Sequence, residues 1–302
     1  MKRGHGKGRG RGGYGRPAAG GRDAGAAPGP AGAWPGGRPP ALERFSQNFL
    51  VDPNTSRKIV DAARVGAGDA VLEIGPGHGA LTTILAERVG RLRLVEIDRA
   101  LVWALAERYQ DEPRVEVIAA DVLEVGLEAL LAGAARWHVV ANLPYRITSP
   151  ILFALLDVAP RLAAATLMVQ REVAERVVAD VGTAEWGTLS VHCQRLADAA
   201  VLFDVPPSVF RPRPAVMSSV LRLQFLEAPR VSVADEAQFR RTVRAAFGHR
   251  RKTLRNSLMS GGWDASEIDA AAARLGLDLV RRGETLTLDE LAALADALPI
   301  ER

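Results

Sequence analysis

Four consecutive residues, Asn142-Leu143-Pro144-Tyr145, combine a side-chain amide, a proline and an aromatic ring. Proline fixes φ and carries no N–H, so carbonyls near it are left to point away from a regular ladder. Asn142 supplies a side-chain carbonyl acceptor, and Tyr145 supplies a flat face for stacking. That combination suits the activation of a planar amine. An adenine amino group is a poor nucleophile because its lone pair is delocalised into the ring. Hydrogen bonds from its N–H atoms to the Asn142 side chain and to the Leu143 or Pro144 carbonyl favour a pyramidal nitrogen. The lone pair is then free to attack a sulfonium methyl in line, with positioning supplying much of the rate. Tyr145 would hold the extruded base by stacking, as enzymes acting on bases commonly do. The plainer alternative is a Pro-Tyr turn that packs a strand end.

A methyl donor needs its own site, and VLEIGPGHGALT (71–82) reads as a strand running into a glycine turn and then a helix. Gly75, Gly77 and Gly79 allow a sharp turn and a close approach of backbone to ligand. With Ala80 the segment also satisfies G-x-G-x-x-G/A, which leaves a nicotinamide enzyme open at this point. Two acids narrow the choice. Glu96 follows Gly75 by 21 positions at the end of the next strand, where a carboxylate can accept from ribose hydroxyls. Asp121 ends the strand after that and could accept from an adenine amino group. The alternative for each is a helix N-cap or a solvated strand-end charge. A glycine loop followed by acids at the next two strand ends favours S-adenosyl-L-methionine over a dinucleotide.

The elements that must carry these residues are short apolar runs alternating with amphipathic stretches. Strands are expected at 70–74, 92–97, 115–120, 138–142 and 165–170, helices near 80–88, 99–109 and 149–157, and a final strand within 216–225. Strands separated by helices, each apolar enough for burial on both faces, predict an α/β fold with a Rossmann-like, mainly parallel sheet of the class I methyltransferase kind. After Pro229 only helical periodicity remains, to about 298. The expected domains are therefore a disordered Gly/Arg-rich tail (1–40), a cofactor-binding domain (41–228) and a small helical RNA-binding domain (229–302).

Charge divides unevenly along the chain. Residues 1–44 hold nine Lys/Arg and two Asp/Glu, a net of +7, leaving 30 basic and 33 acidic residues in the remaining 258. The overall basicity thus belongs to the tail, whose GRGRGGYGR stretch (8–16) is like Arg-Gly segments that bind RNA through phosphates and stacking, or else a solubilising extension. Any nucleic-acid surface in the rest must be local. Residues 237–263 offer a candidate, with Arg240, Arg241, Arg244, Arg250, Arg251, Lys252 and Arg255 and no acid, the alternative being a solvated helix face. Arg211 and Arg213 could add charge near the target. No apolar run approaches the roughly 20 residues of a membrane span, and no secretory h-region opens the chain, so a soluble cytoplasmic protein is expected. One cysteine, Cys193, excludes a disulfide framework. Its Val-His-Cys-Gln context argues against a covalent thiolate mechanism, and Cys193 and His192 both read as structural. No metal-ligand spacing appears.

Eight segments occur in order: FSQNFL (45–50), EIGPG (73–77), VEID (95–98), NLPY (142–145), QREVAER (170–176), VPPSVFRPRP (205–214), HRRKTLRNSL (249–258) and ETLTLDEL (284–291). On these the chain, over about residues 43–298, resembles the ribosomal RNA adenine dimethyltransferases, most closely the small-subunit (16S) type. The resemblance implies that Asn48 and Leu50 meet the methionine part of the cofactor, with Gln47 nearby. It places Gly75 at the methionine end, Glu96 at the ribose and Asp121 at the adenine. Asn142 would touch the cofactor and orient the target amine, and Phe210 would be the second stacking face opposite Tyr145. It further implies a monomer that dimethylates two adjacent adenosines in the 3′-terminal hairpin loop of 16S rRNA, in a pre-30S small ribosomal subunit. Two features depart from the pattern: Arg146, where the family often has Asn, and the Arg-Gly tail, which is similar to extensions on macrolide-resistance methyltransferases of 23S rRNA. A 23S enzyme and a non-catalytic ribosome assembly factor are the alternatives.

Overall fold

The computed structural model describes residues 48–300. The expected tail lies outside the described residues, as does Gln47. The described chain opens with β1 (Phe49–Leu50) and α1 (Pro53–Ala63). Asp52 caps α1 by accepting from the Thr55 N–H at 2.7 Å, and Pro53 occupies the first turn, where its missing N–H costs nothing.

The alternating region follows as β2 (Ala70–Ile74), α2 (Thr82–Arg88), β3 (Arg91–Glu96), α3 (Arg99–Arg108) and β4 (Val115–Ala119). Two single turns, α4 (Val122–Val125) and α5 (Leu127–Leu130), lead to β5 (Trp137–Asn142), α6 (Thr148–Asp157) and β6 (Leu162–Gln170). All five residues of β2 are buried, as a central parallel strand covered on both faces requires. After α7 (Arg171–Val177) and α8 (Thr188–Leu196), the chain adds β7 (Ala197–Val205), the two-residue β8 (Phe210–Arg211) and β9 (Ser218–Phe225).

The seven-stranded sheet has the order β4-β3-β2-β5-β6-β9-β7. Neighbours from β4 to β6 pair in parallel, and β9 runs antiparallel to both β6 and β7. The chain winds outward from β2 through β3 to β4, then returns to β5 on the other side of β2. That reversal opens a crevice above the carboxyl ends of β2 and β5, where ligands of open α/β sheets bind. The expected strands all form. β7 was not expected from sequence: it is an edge strand whose residues are largely exposed and whose ends carry Asp198 and Asp204, so it lacks the apolar run of its neighbours.

Beyond β9 the described residues form only helices: α9 (Glu236–Phe247), α10 (Leu254–Ser260), α11 (Ala265–Leu275) and α12 (Leu288–Ala297). Asp235, Thr253 and Thr287 cap three of them, and Asp264 with Glu267 forms a capping box on the fourth. Their apolar faces bury Phe239, Val243, Leu258, Ile268 and Leu291 against Trp186 and Val191. Among the described residues no helix is long and apolar enough to cross a membrane. Cys193 is fully buried, with its thiol pushed up to about 12, and His192 sits between the Phe153 and Phe239 rings, pushed down by burial to about 4.

Candidate active site

A cavity of about 390 Å³ occupies the crevice, within the size range of small-molecule sites. Its walls come from the carboxyl ends of β4, β3, β2 and β5 in spatial order, with β1 as a further wall.

Gly75 follows β2 with φ +65°, and a Cβ built on it would meet no protein atom within 4 Å. Its backbone therefore faces open cavity. Gly77, at φ +57°, lies against the Phe49 ring, where a Cβ would come within 3.0 Å of the ring. The Phe49 ring in turn rests on His78, with centroids 4.1 Å apart. Sequence reasoning overlooked Phe49, although it sits inside FSQNFL between two residues that were chosen.

Glu96 ends β3 almost fully buried. Its Oε2 accepts from the Gly77 N–H at 3.1 Å, and its Oε1 accepts from the N–H groups of Ile97 and Asp98 at 2.9 and 3.0 Å. Burial raises its carboxyl above the usual range, opposed by those backbone donors. Oε2, with a single donor, retains capacity for a ligand hydroxyl. Asp121 follows β4 and uses Oδ1 to cap α4 through the Leu123 N–H at 2.9 Å. It is thus an N-cap and a cavity residue at once. Glu73, within β2, also reaches the cavity wall. Burial pushes it up to about 8, and its Oε2 has no hydrogen-bond partner among the described residues.

At the β5 end, the Asn142 Nδ2 donates to the Asn48 carbonyl at 3.0 Å, which leaves Oδ1 as the free end of the amide. Asn48 and Leu50 are held in place because β1 pairs antiparallel with β8 and the Val51 N–H donates to Val209 at 2.9 Å. The Pro144 carbonyl accepts from the Ile147 N–H at 3.1 Å and the Thr148 hydroxyl at 3.2 Å. No donor among the described residues engages the Leu143 carbonyl. The Tyr145 hydroxyl lies 2.7 Å from the Ser218 Oγ, and burial raises its phenol. Ser218 gave no local sequence signal, since it reaches Tyr145 only through the antiparallel placement of β9 beside β6. Arg146 also lines the cavity.

Phe210 is placed otherwise than expected. It is fully buried and does not line the cavity, so it offers no face to a base opposite Tyr145 in this structure. The β1–β8 ladder sets it across from Leu50 and turns its ring into an apolar cluster with Val205 and Val220.

The basic run is likewise narrower than its sequence suggests. Arg240 pairs with Asp157, and Arg241 donates to the Gly261 carbonyl while lying 4.0 Å over the Trp263 ring. Arg255 makes a two-pronged pair with Asp269 at 2.8 and 2.7 Å, so it is not a free cation. Lys252 reaches Ser260 at 3.2 Å. Arg244, Arg250 and Arg251 are exposed, with no acid partner among the described residues. Arg211 bonds to the carbonyls of Ser208 and Phe210, and Arg213 is exposed.

A profile of the family described as "Ribosomal RNA adenine dimethylase" matches residues 41–292. The chain is 46% identical over 262 residues to the "Ribosomal RNA small subunit methyltransferase A" of Geobacter metallireducens, covering 85% of this chain and 95% of that one. It is 48% identical to the protein of the same description from Moorella thermoacetica, over 83% of this chain and 90% of the relative. Among solved structures, the fold matches a dimethyladenosine transferase from Plasmodium falciparum (TM-score 0.69, 24% identity, 82% and 95% of the two chains). It also matches the 23S rRNA methyltransferase ErmE (TM-score 0.63, 28% identity, 83% and 99%). The strand-end acids, the glycine loop and the amide acceptor therefore stand in a chain that belongs to the ribosomal RNA adenine dimethylase family, enzymes that use S-adenosyl-L-methionine.

Proposed function

We propose that this enzyme dimethylates the N6 amines of two adjacent adenosines in the 3′-terminal hairpin loop of 16S rRNA, acting as a cytoplasmic monomer on a pre-30S small ribosomal subunit. The observation that carries the chemistry is the Asn142 amide, whose nitrogen is tied to Asn48 so that its oxygen remains for a substrate donor. The choice of subunit is supported by relatives described as small-subunit methyltransferases, which reach 48% identity against 28% for the 23S enzyme.

The cavity fits S-adenosyl-L-methionine. Gly75 leaves open space where a side chain would stand, Asp121 keeps one oxygen for a ligand donor, and the Glu96 Oε2, with a single donor, can accept one more. When bound, this cofactor supplies an electrophilic methyl group on a positively charged sulfur. Asp121 would accept from its adenine amino group and Glu96 from a ribose hydroxyl. Asn48, Leu50 and the Phe49 ring would enclose the methionine end beside Gly75.

On the substrate side, the Asn142 Oδ1 and the Leu143 carbonyl accept from the two N–H atoms of the target amine. Leu143 is preferred to Pro144 because the Pro144 carbonyl already has two donors. Accepting both protons out of the ring plane frees the nitrogen lone pair and points it along the cavity, a fixed geometry that costs no reorganisation during reaction. Tyr145 carries the base on its ring, and its hydroxyl, tied to Ser218, fixes the ring plane. The monomethylated amine keeps one N–H, so a single acceptor suffices to hold it for the second transfer.

Labelled methyl transfer to purified small and large subunits tests the assignment. Transfer to small subunits, with two adjacent dimethyladenosines by mass spectrometry, is the expected result. Transfer to 23S rRNA alone would replace it with the 23S reading, which the likeness to ErmE favours as the second choice.

A further inference from the structure

The ionisable residues lining the cavity are unequal in sign. Glu73, Glu96 and Asp121 are acidic, and Arg146 is the single Arg or Lys among the described residues of the lining. The acids stand at the ends of, or within, β4, β3 and β2. Arg146 stands beyond β5, in the 3-10 turn Tyr145–Ile147 that leads into α6. With neighbouring strands about 4.8 Å apart, the two ends of this row are roughly 14 Å from one another. The positive charge therefore sits at the base-binding end, one residue from Tyr145.

Arg146 is exposed and takes part in no ion pair or side-chain hydrogen bond among the described residues. That separates it from Arg240, Arg241 and Arg255, whose guanidinium groups are spent on Asp157, Gly261 and Asp269. An adenosine extruded from an RNA loop brings its flanking phosphates to the mouth of the cavity along with its base. Without Arg146 those phosphates would meet no Arg or Lys among the described residues of the lining, which otherwise carries acids. A guanidinium presents a planar fork of donors that matches a phosphate.

We propose that Arg146 is the phosphate anchor of the target strand: it binds a phosphate flanking the adenosine whose base rests on Tyr145, and so positions that nucleotide for methylation. The proposal rests on the reading of the site as an rRNA adenine methyltransferase. Arg146 acts here as a positioning residue, since it touches the strand and not the reacting amine.

The experiment compares wild type, Arg146→Ala and Arg146→Lys on undermethylated 30S subunits and on a 3′-terminal hairpin RNA. It reads kcat, KM, RNA affinity against salt, and cofactor affinity by calorimetry. Arg146→Ala is expected to raise KM for RNA about 10-fold or more, the loss of one charge-assisted contact. Its kcat at saturating RNA should change far less. The slope of log affinity against log salt should shrink by about 0.7, the value for one phosphate of a single strand. Arg146→Lys should restore the slope and part of the KM, because an ammonium keeps the charge and loses the fork. Unchanged KM and slope in Arg146→Ala overturn the proposal. A cofactor affinity weakened tenfold with the RNA slope intact also overturns it, by assigning Arg146 to the cofactor carboxylate. Binding slopes need no turnover, so a wild-type protein that methylates neither subunit would sink the functional reading while leaving the anchor measurable.

Discussion

Gly75→Ala separates backbone strain from ligand contact, because the structure supplies a matched control. Gly75 has φ +65° and Gly276, at the end of α11, has φ +64°. A Cβ on either would meet no protein atom within 4 Å. Alanine at each position therefore carries the same left-handed backbone cost, about 1–2 kcal/mol, and no internal clash. In a domain of this size that lowers Tm by about 2–8 °C in both variants without cofactor. The two positions differ in what lies beyond the glycine. Gly75 faces the cavity and Gly276 does not line it. If the cofactor packs on the Gly75 backbone, the added methyl overfills that contact at about 1–3 kcal/mol, which is about 5- to 150-fold in cofactor affinity. Gly276→Ala should leave that affinity unchanged. Calorimetric titration of S-adenosyl-L-methionine into both variants, beside their melting curves, is the assay. Equal Tm losses with unchanged cofactor affinity in Gly75→Ala would refute the reasoning, since the glycine would then serve only the turn.

Asn142→Ala should lower kcat by about 10²- to 10³-fold, the usual effect of removing one preorganised hydrogen-bonding group from a reacting centre, with RNA affinity largely kept. Single-turnover methyl transfer measures it, and an unchanged rate would remove Asn142 from the chemistry. Tyr145→Phe keeps the ring and loses the bond to Ser218, so its loss should be small, whereas Tyr145→Ala loses stacking worth about 1–3 kcal/mol. Equal losses in kcat/KM for the two would shift the role from ring to hydroxyl. Glu73 is held by burial at about 8, against 4.5 ordinarily. Between those values the folded protein keeps a proton that the unfolded chain releases, so stability declines as pH rises from about 4.5 to 8. Glu73→Gln, neutral throughout, should show a flatter Tm profile across that window, and parallel profiles for the two proteins would exclude Glu73 as the source.

Much of the sheet was readable because parallel strands covered on both faces are largely apolar runs, as β2, β5 and β6 are, while β3 and β4 keep enough apolar positions around Arg93 and Glu116 to stand out. β7 escaped because its residues are largely exposed and Asp198 and Asp204 interrupt it, which leaves no apolar run to read. α1 escaped although Asp52-Pro53 carried both a cap and a first-turn proline, a signal that a search for apolar runs passes over. At the site, residues that belong to one local motif were legible: the glycine loop, Glu96, Asp121 and the tetrapeptide. What depends on strand order was not. Ser218 meets Tyr145 only because β9 inserts beside β6. Phe210 was placed by motif and not by ladder, and the ladder turns it inward. The arginine run was legible as composition, but composition does not say which guanidinium groups find acids. Asp157 and Asp269, outside the run, take two of the seven.

The hydrogen bond from Asn142 to Asn48 joins two cavity walls that lie 94 residues apart in sequence. An amide has a donor end and an acceptor end, and a target amine can use only the acceptor. If the nitrogen end faced the substrate, two donors would oppose each other in a site shielded from water, a cost of the order of an unsatisfied buried group, about 1–3 kcal/mol. The Asn48 carbonyl removes that choice by taking the Nδ2. The pairing of β1 with β8 helps to hold Asn48 in this position, through Phe49 opposite Arg211, Leu50 opposite Phe210 and the Val51 contact to the Val209 carbonyl. Phe210 thus contributes to the site as a buried anchor of β1, and β1 lines the cofactor cavity and orients the amine acceptor at once. A substitution that loosens this two-residue ladder should weaken cofactor affinity and kcat together. One that acts only on the Asn142 oxygen should lower kcat alone.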